Sequence, residues 1–578
     1  MAKKVKQVIS KEQNPQRTLH IWPGVVIVLV QWLVLLVLPA LIPQATPIGV
    51  IGGMVGGLAV IVWWSFFSRA SRSERWGAVA LMIIALAGTS RIVHESIGTG
   101  YQGMMFFVYA IPVLSLAFVI WAVASRHQDV GARRVTMVAT ILLACSVWIL
   151  FRSEGITGDA RADFTWRWSQ THEERLLTQT DDEMMVRSTV PETIGRGVSW
   201  PGFRGPGRDA VIHGIRIETD WSVSPPDELW RRPIGPGCSS FAVQDNYLYT
   251  QEQRGDDEIV ACYNLKTGEP VWRHADATRF WDSHAGAGPR GTPAFYDGHV
   301  YTLGATGILN ALNAQDGTLI WSRSTASDSE VELPGWGFTS SPLVVDEMVI
   351  VAVAGTLLAY DLNSGNLRWT GPDGGGGYSS PHLLTSDGIR QILLMSEVGV
   401  TSVSPADGSL IWMHSWQEER IVQPALIRNG DLLISAGGLK GLRRITVKQG
   451  SDGWDIQERW TSSQLKPNFN DIVIHNGHVF GFNGPILTCL DIENGKRKWR
   501  GGRYGGQLIL LADQDILLVL SEKGELALVN AAPDQFTEIA LFPAIQGKTW
   551  NHPVLVGNIL VVRNSEEMAA FRLSLSGG

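Results

Sequence analysis

Apolar residues are unevenly spread along the 578-residue chain. Five nearly unbroken apolar stretches crowd its first part: Trp22 to Ile42, Ile48 to Phe67, Trp76 to Val93, Gly103 to Ala124 and Val135 to Phe151. Runs of this kind satisfy their own backbone as helices and match the thickness of a bilayer, so the pattern predicts a bundle of five transmembrane helices. Beyond Val198 the pattern changes to short alternating runs punctuated by Gly, Asn and Asp, the signature of half-buried strands joined by tight turns.

Flanking charge orients the spans, because Lys and Arg resist translocation. Lys3, Lys4, Lys6, Lys11 and Arg17 precede the first span, Arg69, Arg72 and Arg75 follow the second, and Arg126, Arg133 and Arg134 follow the fourth. All three clusters fall on one side. An odd number of spans then carries everything after Phe151 out of the cytoplasm, which predicts a multi-pass protein of a bacterial inner membrane with a cytoplasmic N-terminus and a periplasmic C-terminal part. A cleavable signal peptide is the competing reading of the first span, but its apolar run is long and lacks a small-residue cleavage site. Arg91, His94 and Glu95 sit at the outer edge of the third span, where they read as an interfacial anchor or as a quinone or proton site. From Arg152 to Val198 the chain is polar, with an acidic run at Asp181, Asp182 and Glu183, and reads as a solvated helix and connector. The expected organisation is a basic tail over 1–20, a helical membrane domain over 21–151, an extracytoplasmic linker over 152–198 and a strand-rich domain over 199–578.

In that last domain a unit recurs every 39 to 49 residues, the period of four-stranded propeller blades. Five copies place a turn glycine four residues before a tryptophan: Gly268 and Trp272, Gly317 and Trp321, Gly365 and Trp369, Gly408 and Trp412, Gly495 and Trp499. Four of them add Asn264, Asn313, Asp361 or Asp491 eight residues before the tryptophan. The Asx side chain bonds the turn backbone, the glycine supplies positive φ, and the indole packs flat between blades. The segment Ala359-Tyr-Asp361-Leu-Asn-Ser-Gly365-Asn-Leu-Arg-Trp369 resembles the repeat A-x-D-x-x-T-G-x-x-x-W of the pyrroloquinoline-quinone-like propeller family, and the resemblance extends from Trp200 to the end. The copies around Gly453 to Trp460 and Asn530 to Leu541 depart from it.

Inner strands fall at Ser239 to Val243, Thr292 to Tyr296, Ser341 to Val345, Ser380 to Leu384, Gln423 to Ile427, Asp471 to Ile474, Gln507 to Leu511 and His552 to Val556, which predicts an all-β, eight-bladed β-propeller. The last blade runs out of chain, and Glu228 to Pro233, with Trp230 in the tryptophan slot, is expected to complete it and leave no open edge. High Gly and Trp counts, 62 and 23, fit such a repeat, and a net charge of −7 gives no support for nucleic-acid binding. Cys145, Cys238, Cys262 and Cys489 show no metal or haem spacing and read as free thiols.

Residues just before or at each inner strand face the channel mouth, on the rim shared with the second-to-third strand hairpins. Besides Ser239 and Ser240 they are Arg290, Thr292, Ser340, Ser379, Gln423, Asn470, Asp471, Arg503, Gln507, Lys548, Trp550, Asn551 and His552, a polar, net basic ring suited to an anionic ligand or an envelope protein. Two long rim loops carry Trp281, His284 and Trp336 as lid candidates, and Gln251 to Glu258 adds a charged hairpin expected to be solvated. No catalytic motif and no metal-ligand spacing is legible. Within the resembled family two functions compete. One is a binding scaffold, like the propeller lipoprotein that assists outer-membrane barrel assembly. The other is a quinoprotein dehydrogenase of alcohols or sugars using pyrroloquinoline quinone and Ca²⁺ and passing electrons to membrane quinone. Asp471 is the one acid on the expected ring, too few for cation binding plus catalysis, and the sequence favours the scaffold.

Overall fold

A computed structural model describes residues 19–41, 45–158, 161–180, 199–386, 388–416, 422–427, 430–435, 440–451 and 453–577. It divides into a helical unit, 1–156 with 160–169, and a second unit holding the rest. The basic cluster from Lys3 to Arg17 and the acidic run at 181–183 lie outside the described residues.

Among the described residues of the helical unit, four helices are long and apolar enough to cross a membrane: α1 Trp22–Leu41, α2 Ile48–Phe67, α4 Met105–His127 and α5 Val130–Leu150. The fifth expected span is not among them. Helix α3, Arg72–Thr89, opens with a capping box in which Ser71 and Glu74 bond each other's backbone, so its first turn carries Arg72, Glu74 and Arg75. The apolar remainder is about 21 Å long at ~1.5 Å per residue, short of the ~30 Å hydrocarbon core. Helix α3 nonetheless runs from one end of the bundle to the other. At its start Glu74 pairs with Arg133 at 2.8 Å, and Ser73 accepts from Arg134 at 3.1 Å. Past its end, Ser96 Oγ accepts the Ser153 amide at 2.8 Å. Small residues let the helices approach: a Cβ on Gly24 would sit 2.6 Å from the Trp63 ring, and one on Gly56 2.5 Å from Gln31.

Of the stretch expected as a connector, Phe151–Ile156 and Ala162–Trp166 pair as a hairpin. Helix α6, His172–Thr180, packs on the first blade, where Glu173 bonds Arg279 at 2.7 Å and the Gly255 amide at 2.9 Å.

The second unit is the expected eight-bladed propeller. Blades two to six are four-stranded meanders, beginning at Ala294–Tyr296, Leu343–Val345, His382–Ser386, Ala425–Leu426 and Val473–His475. Blade eight takes its outer strand from Asp227–Pro233, with Trp230 opposite Ala570, so the ring closes with the segment the repeat called for. Blades one and seven each carry a fifth strand on the inner side: Ser199–Trp200 pairs antiparallel with Ala242–Gln244, and Val211–Ile212 pairs parallel with Leu510–Leu511.

The repeat motif works between blades. A Cβ on Gly268 (φ +70°) would sit 2.6 Å from the Trp230 ring of the preceding blade, and Gly365 (φ +68°) stands in the same relation to Trp321. The glycine therefore serves both the turn and the indole seated on it. Every indole of the motif but one also donates Nε1–H to a carbonyl of the next blade, as Trp230 does to Leu265 at 2.9 Å and Trp272 to Ala314 at 3.0 Å. Trp412 donates instead to Gln391 of its own blade at 2.7 Å, because the facing turn in blade five is the rebuilt one.

Candidate functional site

Seven of the eight inner strands start two or three residues later than the sequence predicts, and the freed residues bind the neighbouring blade. The Ser240 amide donates to Thr292 Oγ1 (3.2 Å), Thr292 to Ser341 Oγ (3.0 Å), Ser341 to Ser380 Oγ (2.9 Å), Ser380 to Gln423 Oε1 (2.9 Å) and Gln423 to Asp471 Oδ1 (2.7 Å). The circuit continues as Asn470 Nδ2 donates to Gly506 O (2.5 Å) and Gln507 Nε2 to Trp550 O (3.2 Å). It closes where Asn551 Nδ2 reaches Ser239 O (2.8 Å) and Ser240 Oγ reaches His552 O (2.6 Å). These groups form a belt in which five links give a side-chain acceptor to an amide that has left the ladder and the others give a side-chain donor to a backbone carbonyl.

Inside the belt the channel is filled by the chain itself. Residues 200–212, Trp-Pro-Gly-Phe-Arg-Gly-Pro-Gly-Arg-Asp-Ala-Val-Ile, leave blade one, enter the channel from the face opposite the rim and return to blade seven. Arg204 donates to Ile472 O at 2.7 Å and lies 3.7 Å from Asp471. Arg208 donates to Pro342 O at 2.9 Å and Ser341 O at 3.1 Å and covers the Phe203 ring at 5.5 Å. Phe203 meets His552 edge-on at 5.1 Å. Burial pushes the Asp471 carboxyl up while Arg204 opposes the shift, and burial with Arg204 nearby pulls His552 down to about 3, so that imidazole is neutral.

Above the belt, partly exposed rings arch over the rim. Trp336 lies 4.8 Å from Tyr378 and 6.0 Å from His284. Lys548 donates to His284 O at 3.2 Å and sits over Trp550 at 4.1 Å, and Trp550 packs on Phe469 at 5.0 Å.

Residues 221–328 and 256–501 match the family described as outer membrane protein assembly factor BamB. The propeller belongs to this BamB-type, pyrroloquinoline-quinone-like family. BamB of Yersinia pestis is 24% identical over 164 residues, 27% of this chain and 38% of that protein. BamB of Escherichia coli K12 is 28% identical over 111 residues, 18% of this chain and 28% of that protein. The chain thus spans well under half the length of these curated relatives. Among solved structures, BamB from Moraxella catarrhalis aligns with a TM-score of 0.45 at 16% identity, over 61% of this chain and 98% of that one. Quinohemoprotein alcohol dehydrogenase from Comamonas testosteroni aligns with a TM-score of 0.47 at 13% identity, over 69% and 84%.

Within this BamB-type propeller the expected ring residues separate into groups. Thr292, Gln423, Asn470, Asp471, Gln507, Asn551 and His552 belong to the belt or line it. Ser340 Oγ accepts the Ala352 amide at 2.9 Å, and Ser379 Oγ donates to Val422 O at 2.7 Å. Lys548 and Trp550 stand in the aromatic arch with two of the three lid candidates, His284 and Trp336. Trp281 instead pairs with Ala287 in a small hairpin. Arg290 is buried and bonded to Asp282, with its guanidinium 5.1 Å from the Phe280 ring. Arg503 is not on the ring, because the outer strand of blade six runs on through it and leaves it exposed opposite Ile486.

The charged hairpin is solvated only at its tip, where Asp256 is exposed. Gln251, Glu252, Gln253 and Glu258 are buried, with Glu252 accepting from Tyr263 (2.8 Å) and Arg254 (3.1 Å). Glu258 Oε1 accepts the Ala305 amide at 3.1 Å, its Oε2 has no partner, and burial pushes its pKa up to about 7. Sequence reasoning also missed the plug residues Phe203, Arg204 and Arg208. Their one signal is a Pro- and Gly-rich run inside the domain that no repeat copy absorbs.

The ring does not fit a quinone with a calcium ion. Asp471 is matched by Arg204 and by a belt amide, Phe203 occupies the channel, and among the described residues no group of three or more His, Cys, Asp or Glu side chains could hold a metal ion. The four cysteines are free thiols.

Proposed function

We propose that this chain is a membrane-anchored scaffold of the bacterial envelope, whose propeller binds envelope proteins through the aromatic arch on its rim. The observation that carries this reading is the contrast between the two layers of the rim. The polar belt is bonded internally and leaves few groups for a small ligand, whereas Trp336, Tyr378, Phe469 and Trp550 stay partly exposed above it. Large, rigid aromatic side chains of this kind dominate protein-binding hot spots. The relatives named for outer-membrane protein assembly point the same way.

The basic residues support the side on which the propeller sits. Arg75, Arg133 and Arg134 gather at the end of the bundle where α3 begins, and the hairpin starting at Phe151 packs at the other end. By the positive-inside rule the first end is cytoplasmic and the propeller extracytoplasmic. Alkaline phosphatase fused after the propeller is then active in cells, and an inactive fusion would reverse the assignment.

Photo-crosslinkers placed at the exposed Leu333, beside the arch, should capture envelope proteins from intact membranes, and Trp336→Ala with Trp550→Ala should abolish the capture. Undiminished capture would remove the arch from the binding surface. Titrating the purified full chain with pyrroloquinoline quinone and Ca²⁺ tests the dehydrogenase reading. Stoichiometric uptake with dye reduction would overturn the scaffold.

A further inference from the structure

On the face opposite the rim, the plug and the inner strands of blades five to seven enclose a cavity of about 750 Å³ that opens to solvent. Its volume falls in the range of small-molecule sites, roughly 300–1,000 Å³. One wall is apolar, formed by Val211, Leu426, Ile427 and Ile474, which keep some exposed surface in the cavity.

Charge accounting around this cavity leaves a remainder. Arg204 is matched by Asp471. At the mouth, Asp513 accepts from Gly214 and His213, Glu493 pairs with Arg444, and Asp209 accepts the Val211 amide. Arg208 donates to the two backbone carbonyls already described and covers the Phe203 ring, and the carboxylate that acts on it is Asp471, which it shares with Arg204, so two guanidinium charges face a single carboxylate. Its Nε has no hydrogen-bond partner among the described residues. Burial and the neighbouring Arg204 pull Arg208 down to about 9 against the opposing effect of Asp471, so it remains charged at neutral pH on a half-buried side chain that lines the cavity. A half-buried cation that shares its one carboxylate with a second guanidinium carries excess positive charge, and a bound anion balances it.

The geometry points to this cavity as a binding site for a monoanionic carboxylate carried on an apolar body, with Arg208 as the counter-ion and the Leu426–Ile474 wall holding the apolar part. One unmatched positive charge suits a carboxylate rather than a phosphate dianion, and the planar guanidinium suits carboxylate geometry. Such a group comes either from a free branched-chain acid or from the C-terminal residue of a polypeptide.

The test is calorimetric titration of the full chain in neutral-lipid nanodiscs. The probes are 4-methylvalerate, its neutral amide, N-acetyl-glycyl-leucine with a free C-terminus, and inorganic phosphate. One equivalent of 4-methylvalerate or of the acetylated dipeptide should bind, with the amide at least about tenfold weaker. The tighter of the two carboxylates identifies the source. Arg208→Gln should reduce carboxylate binding about tenfold or more. Because Arg208 also anchors the plug, Leu426→Asp provides a second variant that sets a like charge on the exposed wall and should abolish binding with the thermal midpoint unchanged. Equal binding of acid and amide, phosphate binding as tight as carboxylate, no binding by any probe, or carboxylate binding undiminished in folded Leu426→Asp would each overturn the assignment.

Discussion

The two ends of the propeller channel treat polar side chains in opposite ways. At the rim, Thr292, Ser341, Ser380, Gln423 and Asp471 hand hydrogen bonds from blade to blade, so each group has its partner inside the protein. From the opposite end a Gly- and Pro-rich segment brings Arg204 and Arg208 up to Asp471 and Ser341, and the second of these lines an open cavity and shares its carboxylate with the first. The same type of lining is a fastener at one end and a candidate ligand-binding surface at the other. What separates the ends is whether the next blade offers an acceptor at the right height.

Substitutions at the two ends sharpen that difference. The largest effect is expected at the plug. Arg204→Met leaves Asp471 buried without its nearest cation and should cost about 3–5 kcal/mol in urea unfolding, as removal of one partner from a buried pair does. Adding Asp471→Asn should recover much of the loss, and no recovery would mean that Arg204 acts through its carbonyl contacts alone.

At the rim, Glu258 has a folded pKa raised from 4.5 to about 7, so the native state holds a proton that the unfolded chain releases earlier. Its contribution to stability is complete below pH 4.5 and declines as pH rises to 7, by roughly 3 kcal/mol in all. Unfolding measured from pH 4.5 to 7.5 should lose this slope in Glu258→Gln, whereas equal slopes would place the carboxylate in contact with water.

Within the belt, Ser341→Ala removes the acceptor for the Thr292 amide and should cost about 1–2 kcal/mol. A neutral outcome would show that the belt is not cohesive. The smallest effect is expected away from the channel: Arg368→Ala breaks an exposed pair with Asp361 and should change stability by less than ~0.5 kcal/mol.

The repeat made the propeller legible because its spacing is local physics. A turn needs Gly365 and Asp361, and a tryptophan four residues after that glycine meets the neighbouring blade wherever the pattern recurs. Trp230 marked the closing strand by the same rule. The membrane helices were legible as apolar runs, but α3 was overcounted, because the cap at Ser71 draws the helix start into a charged turn. The site was only half legible. The residues near each inner strand could be named, and His284, Trp336, Lys548 and Trp550 do come together.

What the order of residues could not reveal is which polar groups face one another. Thr292 and Ser341, or Arg204 and Asp471, become partners only after the ring has closed and the plug has entered it. By itself the sequence determined the blade, its count and its closing strand, since the first two rest on contacts within one unit or between successive ones and the third carries the same tryptophan mark as the other blades. The tertiary structure alone decided the plug, the belt and the excess positive charge at Arg208, because these rest on contacts between separate segments, 39 residues apart where Ser341 meets Ser380 in the belt and 133 or more at the plug arginines, to which no local spacing points.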